Sequence, residues 1–131
     1  MLSAMNKLKG RPTEAELRIL AVLWEHGPLT VRKVFEHLDG KTGYTTVLKL
    51  MQIMADKDLL LRDERGRSHI YIPAVPQERT QKRLVGDLVH RAFGGSLRKL
   101  LVAALSSQRT SPQDLQEIRK LIDEWEEKDR P

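Results

Sequence analysis

The side chains with the clearest chemistry lie on two neighbouring segments, TTVLK at residues 45–49 and DERGRSH at residues 63–69. The first segment places two threonine hydroxyls and a lysine near the start of a helical pattern, where the helix dipole also attracts anions. The second segment carries arginines on a short glycine-containing turn. Hydroxyl, ammonium and guanidinium groups bind phosphate oxygens and the edges of DNA bases. Both segments are therefore candidates for contact with nucleic acid.

Each segment also has a simpler interpretation. The polar side of the helix could be solvent-facing surface, and the turn could be a solvated loop in which Asp63 and Glu64 partly cancel the arginine charges. The order of the surrounding elements decides between the interpretations, because DNA-binding helices occur in a small number of arrangements.

Three short helices precede the turn. The sequence TEAE at 13–16 is a capping box, and Gly27-Pro28 ends the first helix. Thr30 caps the second helix, and the third spans about 43–57. The predicted inward stripes of the three helices are Leu17, Leu20, Ala21 and Trp24; then Val31, Val34, Phe35 and Leu38; then Val47, Leu50, Met51 and Met54.

The period then changes from helical to alternating. Residues 59–63 and 68–72 read as two strands joined by the turn, and Pro73 ends the second strand. Three helices followed by a hairpin predict a winged helix-turn-helix, with the third helix as the reading helix and the hairpin as the wing. This order favours the DNA-binding interpretation of both segments.

Residues 76–131 read entirely as helix, with elements at 77–93 and 96–106 and a last helix capped at Ser111. These helices are short and rich in leucine, so they cannot bury all their apolar surface against one another. The predicted fold class is mainly α with a small β-hairpin. Residues 1–75 would form the winged-helix DNA-binding domain, and residues 76–131 a helical dimerisation region.

Composition excludes several classes of function. The 131 residues contain no cysteine, which removes thiolate catalysis and the usual structural zinc sites. The four histidines lack metal-ligand spacing, and Gly94-Gly95 follows no strand, so it is not a phosphate cradle. We predict no catalytic site, metal or cofactor. The net charge of +5 favours acidic partners, and the absence of a signal or membrane-spanning segment predicts a soluble cytoplasmic protein.

Three stretches together resemble the BlaI/MecI/CopY family of bacterial penicillinase and methicillin-resistance repressors. They are TEAELRILAVLWEHGPLTVRKVFEHL from residue 13, YTTVLKLMQIMADKDLL from residue 44 and RGRSHIYIPAV from residue 65. The resemblance runs from about Thr13 to Trp125. It implies a homodimeric winged-helix repressor that binds an inverted repeat in double-stranded promoter DNA and controls beta-lactam resistance or related genes. It also implies relief of repression when a membrane-bound sensor metalloprotease brings about cleavage in the dimer region.

The resemblance assigns roles to particular residues. The DNA-binding candidates are Thr42, Tyr44, Thr45, Thr46 and Lys49 on or beside the third helix, with Arg65 and Arg67 on the wing. The dimerisation candidates are Leu84, Leu88, Leu97, Leu100, Leu101, Leu105, Ile118, Ile122 and Trp125. The cleavage region aligns with Ala103 and Ala104.

The chain departs from the family pattern in three respects. The chain lacks the cysteine motifs of the copper-sensing branch, which excludes that activity. Staphylococcal members are cut at an Asn-Phe bond, whereas this chain has Ala103-Ala104. Asp58 stands where the family tends to have glycine, and aspartate tolerates the left-handed backbone conformation that glycine adopts.

Two other functions remain open from the sequence. One is a winged-helix regulator that responds to a small ligand bound between its two parts, although residues 76–106 supply few polar groups besides Asp87 and His90. The other is a winged helix that binds only protein, which would need neither a basic wing nor hydroxyl groups at the start of the third helix.

Overall fold

The computed structural model describes residues 11–129.

The first helix in this range is defined at both ends by its sequence. Helix α1 (Glu14–His26) follows Thr13, whose hydroxyl accepts a hydrogen bond from the Glu16 amide at 3.2 Å. The Glu16 carboxylate in turn accepts one from the Thr13 amide at 2.9 Å. Gly27 ends the helix at φ 84°, a conformation that favours glycine. The predicted capping box and helix end are confirmed.

The buried face of α1 is shifted by one position along the sequence from the predicted stripe. Leu17 is only half-buried and Ala21 is exposed. Leu20 is buried as predicted, and the other buried apolar residues of the helix are Ile19 and Leu23. The prediction was wrong because it left out Glu16, a charged residue that occupies the first position of the true i, i+3, i+4, i+7 face and is 2% exposed.

Helices α2 (Val31–His37) and α3 (Tyr44–Asp56) form where the sequence predicted them. The Thr30 hydroxyl caps α2 by accepting a hydrogen bond from the Lys33 amide at 3.2 Å. After α3 the chain turns at Asp58, which adopts the left-handed conformation at φ 62°. The family resemblance leads one to expect glycine at this position, and Asp58 adopts the backbone conformation that a glycine would adopt there.

A two-stranded antiparallel hairpin follows, made of β1 (Leu60–Asp63) and β2 (Ile70–Pro73). The strands begin one or two residues later than predicted. Tyr71 lies opposite Arg62 in the register, and on its other side it pairs with Leu29. The Tyr71 amide donates to the Leu29 carbonyl at 2.8 Å, and the reverse bond is 3.2 Å. The sequence did not predict this third strand-like contact, which ties the hairpin to the loop before α2.

The three helices and the hairpin share one hydrophobic core. From the hairpin, Leu60 and Tyr71 are each 2% exposed. The Trp24 indole N–H donates to the Val75 carbonyl at 3.2 Å and anchors the chain after β2 to α1. The remaining buried apolar residues of the core are Ile19, Leu20, Leu23, Val31, Val34, Val47, Met51, Met54 and Leu59. This packing fixes α3 and the hairpin relative to each other.

The remaining helices are α4 (Gln77–Ala92), α5 (Leu97–Ser107) and α6 (Pro112–Lys128). The Ser111 hydroxyl caps α6 by accepting a hydrogen bond from the Asp114 amide at 3.0 Å, as predicted. One compact unit of the chain ends at Lys82 and another begins at Arg83. None of the helices within residues 11–129 is long and apolar enough to span a membrane. The predicted fold class, mainly α with a β-hairpin in winged-helix order, is confirmed. The functional division after residue 75 remains a prediction.

Candidate nucleic-acid interface

Helix α3 has one buried face and one polar face. Val47, Met51 and Met54 are fully buried, so the rotation of the helix about its axis is fixed by the core. The opposite side carries Thr45, Thr46, Lys49 and Gln52, all of them exposed. The predicted reading residues of this helix therefore project away from the core, together with an amide side chain that can contact adenine.

The start of α3 is free of acidic groups. Gly43 precedes the helix and supplies no side-chain cap, and the first turn contains no Asp or Glu. The first backbone N–H groups of the helix are left without a side-chain acceptor, which favours an anion at this end. Thr42, the earliest of the predicted contact residues, is half-buried just before this turn.

Tyr44 differs from the other predicted contact residues because its ring is already in contact with neighbours. The Phe35 ring meets it edge-on, with centroids 5.7 Å apart and planes at 86°. The Arg32 guanidinium lies 4.5 Å from the centroid of the same ring. This distance is within the range of a cation–π interaction. Arg32 was not among the predicted site residues, since nothing in sequence spacing places it beside α3.

The hairpin tip contains its own ion pairs. Arg65 donates two side-chain hydrogen bonds to Asp63, at 2.8 and 3.0 Å, and its backbone amide donates a third at 3.0 Å. These hydrogen bonds lower the pKa of Asp63 to about 2. Arg62 pairs with Glu64 at 2.7 Å. Hydrogen bonding to Tyr71 first, and the charge of Glu64 second, raise the pKa of Arg62.

Arg67 has a different environment from Arg65. Within residues 11–129 it has no acidic partner, and its side chain lines a concavity of about 240 Å³ between α2, α3 and the hairpin. The polar side chains around this concavity are Thr30, Arg32, Gln52, Arg67, Ser68 and His69. No carboxylate is among the described residues that line it. The two arginines therefore give the concavity a positive charge, while Val31 and Leu48 form an apolar part of its lining.

The predicted dimerisation residues lie in the unit that begins at Arg83. No described residue of this unit is buried, and its helices make few contacts with one another. Trp125 is 64% exposed. The predicted residues are exposed or half-buried. Three apolar side chains outside the predicted dimerisation set, Val85, Val102 and Leu121, are exposed as well.

The predicted cleavage region lies within regular helix. Ala103 and Ala104 are exposed residues in the middle of α5. The nearest described segment without helical structure is the connection to α6, at residues 108–111. A protease that binds its substrate in extended form would have to unwind α5 to reach the Ala103-Ala104 bond.

Other chemistry is sparse in the part of the chain that the structure describes. Residues 11–129 contain no group of three His, Asp or Glu side chains that could hold a metal ion. His26 and His37, at the ends of α1 and α2, stack with ring centroids 3.9 Å apart. This contact was also missed in the sequence, because the two histidines are brought together only by the packing of the helices.

Comparison with known proteins finds a protein family and individual relatives that agree with each other. A model of the penicillinase repressor family matches residues 12–124. The penicillinase repressor of Bacillus licheniformis is 19% identical over 114 residues, covering 86% of this chain and 89% of that protein. The transcriptional regulator BlaI of Mycobacterium tuberculosis is 29% identical over 117 residues, covering 86% and 83% respectively.

Two solved structures are also similar to this chain. The solution structure of the DNA binding domain of the repressor BlaI shares 22% identity, with a TM-score of 0.45, over 50% of this chain and 82% of that one. The B. licheniformis BlaI monomeric form, solved in complex with the blaP half-operator, shares 21% identity with the same TM-score, over 52% and 85%.

The family match accounts for most of the chain. Because the named relatives are a repressor and a transcriptional regulator, the prediction that the chain is not an enzyme is confirmed. The resemblance found in the three sequence stretches is confirmed as well. The chain belongs to the penicillinase repressor family.

Proposed function

We propose that the protein is a homodimeric transcriptional repressor that binds an inverted-repeat promoter operator and controls genes of beta-lactam resistance or a related response. The observation that carries this proposal is the exposed, polar face of α3, whose first turn contains no acidic residue, beside an arginine-bearing hairpin in a member of the penicillinase repressor family. A helix of this kind inserts its first turns into the major groove, and a hairpin of this kind reaches the neighbouring backbone or minor groove.

Within the reading helix, the roles follow from exposure and chemistry. Thr45, Thr46 and Lys49 contact bases or phosphates from the outward face of α3. Thr42 and Tyr44 flank this face at the start of the helix. The support is that the three outward residues are exposed, whereas Val47 and Met51 on the opposite side are fully buried. Their side chains can reach DNA without any rearrangement of the core.

On the wing, Arg67 makes the main contact and Arg65 a weaker one. Arg65 is an exposed side chain, but its charge is compensated by Asp63 at 2.8 Å. Arg67 carries an uncompensated charge beside the concavity between α3 and the hairpin. Neutralising a DNA phosphate requires a net positive charge, so the two arginines are not equivalent.

Dimerisation uses the apolar side chains of the helices after Arg83. Leu88 is 49% exposed and Leu97 is 57% exposed. Exposed apolar side chains in such number on one small unit are typical of a protein interface. The contributing residues are Leu84, Leu88, Leu97, Leu100, Leu101, Leu105, Ile118, Ile122 and Trp125. Two linked reading helices then recognise two half-sites of an operator.

Relief of repression follows cleavage in the dimer region near Ala103 and Ala104, brought about by a membrane sensor metalloprotease. The support is the exposure of this part of α5, which contains no buried residue to hold it in place. A helix without buried contacts opens locally at low free-energy cost, and a protease can then bind the bond in an extended form.

Binding to DNA and self-association test the proposal together. Fluorescence anisotropy would compare the duplex upstream of the chain's own gene with a scrambled duplex of equal length, each at several salt concentrations. We expect tighter binding to the promoter duplex and a linear fall of log affinity with log salt. Light scattering should give the mass of two chains. A monomer, or a chain with no affinity for either duplex, would contradict the proposal.

A further inference from the structure

The concavity between α2, α3 and the hairpin suggests a DNA contact by a residue outside the predicted DNA-binding set. It is lined by two arginines from separate elements, Arg32 on α2 and Arg67 after the hairpin tip. Thr30, Gln52 and Ser68 add hydrogen-bonding groups around it, and no carboxylate is among the described lining residues. Two arginines without a carboxylate suit a phosphate group rather than a cation.

The geometry of B-DNA explains why a phosphate would lie there. The major and minor grooves are separated by a sugar-phosphate strand. If α3 lies in the major groove and the hairpin contacts the adjacent minor groove, that strand has to pass between the two elements. The concavity occupies this position between α3 and the hairpin. This step depends on the proposed function, since it takes DNA as the partner of α3.

Arg32 is held in place by stacking on an aromatic ring, and among residues 11–129 it has no acidic partner. Its guanidinium lies 4.5 Å from the centroid of the Tyr44 ring. The Tyr44 ring is itself held by the edge-on Phe35 ring at 5.7 Å. Cation–π stacking fixes the direction of the guanidinium and leaves its charge uncompensated, in contrast to the Arg65–Asp63 ion pair. An arginine fixed in this way loses less side-chain entropy when it binds an anion.

We infer that Arg32 is a phosphate-binding residue of the DNA interface and that Tyr44 acts as its positioning residue through the face of its ring. The Tyr44 hydroxyl has no part in this contact. The concavity takes the backbone strand that runs between the two DNA grooves, with Arg32 and Arg67 on either side of it.

The test uses the full-length chain, with the promoter duplex and its scrambled counterpart as probes. Arg32→Ala should weaken binding to both duplexes alike, by roughly ten-fold at low salt, because a backbone contact carries no sequence information. The slope of log affinity against log salt should become shallower by about one. Arg32→Lys retains the charge, so it should keep the slope while losing part of the affinity.

Lys33→Ala is the matched control. It removes the same charge from the next position of α2, but Lys33 lies outside the concavity and pairs with Glu36 at 3.6 Å. The control should change affinity much less than Arg32→Ala does. If the two variants bind equally well, the effect is one of net charge and the inference is wrong.

Two variants of Tyr44 distinguish positioning of Arg32 by its ring from a direct contact by its hydroxyl. Tyr44→Leu should lose as much affinity as Arg32→Ala, and the double variant should lose no more than either single one. Tyr44→Phe keeps the ring and should recover the binding that Tyr44→Leu loses. If Tyr44→Phe is as weak as Tyr44→Leu, the hydroxyl makes the contact and the positioning role is refuted. Additive losses in the double variant would refute it as well.

Failure of the inference can be told apart from failure of the proposed function. If the unaltered chain binds neither duplex, DNA is not the partner and the proposed function is wrong. If the unaltered chain and Lys33→Ala bind, Lys49→Ala is weakened and Arg32→Ala is not, only the inference is overturned. Thermal unfolding of each variant checks that the fold is retained. Because Arg32 is exposed, its variants remain informative even if Tyr44→Leu unfolds.

Discussion

Glu16 on α1 and Lys57 at the end of α3 form an ion pair inside the winged-helix unit. The Lys57 ammonium lies 2.8 and 3.0 Å from the two carboxylate oxygens of Glu16. The Glu16 side chain is 2% exposed, whereas that of Lys57 is 21% exposed. Glu16 also accepts a hydrogen bond from the Thr13 amide, so one carboxylate both caps α1 and binds Lys57 at the end of α3.

Removal of either partner of this pair should lower the free energy of unfolding. Lys57→Ala leaves a buried carboxylate without its counter-charge, and we expect a loss of about 3 kcal/mol. Glu16→Gln keeps a hydrogen-bonding group and leaves Lys57 able to reach water, so its cost should be smaller, about 1–2 kcal/mol. Urea denaturation measures both values.

Arg18→Ala provides the control for these two variants. It breaks the Arg18–Glu14 pair at 3.2 Å, whose side chains are 53% and 86% exposed. An exposed pair of this kind contributes little, so the change should stay within about 0.5 kcal/mol. If Lys57→Ala is no more harmful than Arg18→Ala, the buried pair has no special role in stability.

The reading face of α3 leads to a second prediction. Thr46→Ala and Lys49→Ala should each weaken binding to the promoter duplex by roughly ten-fold or more, as a lost base contact is worth about 1–3 kcal/mol. Both residues are exposed, so thermal unfolding should not change. Anisotropy on the promoter and scrambled duplexes measures the effect. If both variants bind the promoter duplex as the unaltered chain does, α3 is not the reading helix.

The ion pair at the hairpin tip predicts that the wing arginines contribute unequally. Arg67→Ala should make the salt slope shallower by about one, whereas Arg65→Ala should have a smaller effect because Asp63 already balances its charge. Asp63→Asn removes that balance and should tighten binding to both duplexes. Equal effects of the two alanine variants would mean that Arg65 leaves Asp63 when DNA binds. Weaker binding by Asp63→Asn would contradict the prediction, because it would mean that Asp63 holds the hairpin tip in the geometry that binds DNA.

The same ion pair predicts how the hairpin tip responds to acid. Hydrogen bonds from the Arg65 side chain and then its backbone lower the pKa of Asp63 from 3.8 to about 2. A carboxylate whose pKa is lower in the folded state stabilises that state above its unfolded pKa. The contribution is lost as the pH falls from about 3.8 to about 2. NMR titration of the Asp63 carboxyl carbon should show this low pKa, and Arg65→Ala should return it toward 3.8. A normal value in the unaltered chain would show that the pair does not form in solution.

Much of the fold could be predicted from local sequence signals. The capping box at Thr13, the cap at Ser111 and the change of period after α3 each depend on residues within one or two turns of one another. The local signals failed at Glu16, because a charged residue is expected at the surface, whereas this one is buried with a counter-charge from a lysine 41 positions further along the chain. The strand-like pairing of Leu29 with Tyr71 was missed for the same reason, since its partners are distant in sequence.

In the candidate site, too, local sequence signals predict some features, whereas others depend on contacts between residues distant in sequence. The outward face of α3 follows from helical periodicity, which is why Thr45, Thr46 and Lys49 could be named in advance. The position of Arg32 depends on how α2 packs against α3, and the pairing of Arg65 depends on the rotamers at the hairpin tip. Composition gives the charges of such residues, but only tertiary contacts show which charges are compensated and which are available to a ligand.

The last prediction concerns the helices after Arg83. Their apolar side chains are exposed in the single chain, so a charge placed among them should prevent association without disturbing the winged-helix core. We expect Leu97→Glu combined with Ile122→Glu to give a monomer in light scattering. Both residues are about half exposed, at 57% and 48%, and contribute nothing to the core that contains α3.

Loss of the dimer should in turn reduce binding to the promoter duplex. Two half-sites bound by linked reading helices gain an effective concentration that a monomer lacks, so affinity should fall by roughly 100-fold or more. Binding to the scrambled duplex should fall less, because phosphate contacts by one unit are retained. A chain cut after Ala103, which removes Leu105 and all of α6, should behave like this double variant. If the double variant remains a dimer with unchanged affinity, the interface lies elsewhere, and cleavage near Ala103 could not relieve repression by separating the two chains.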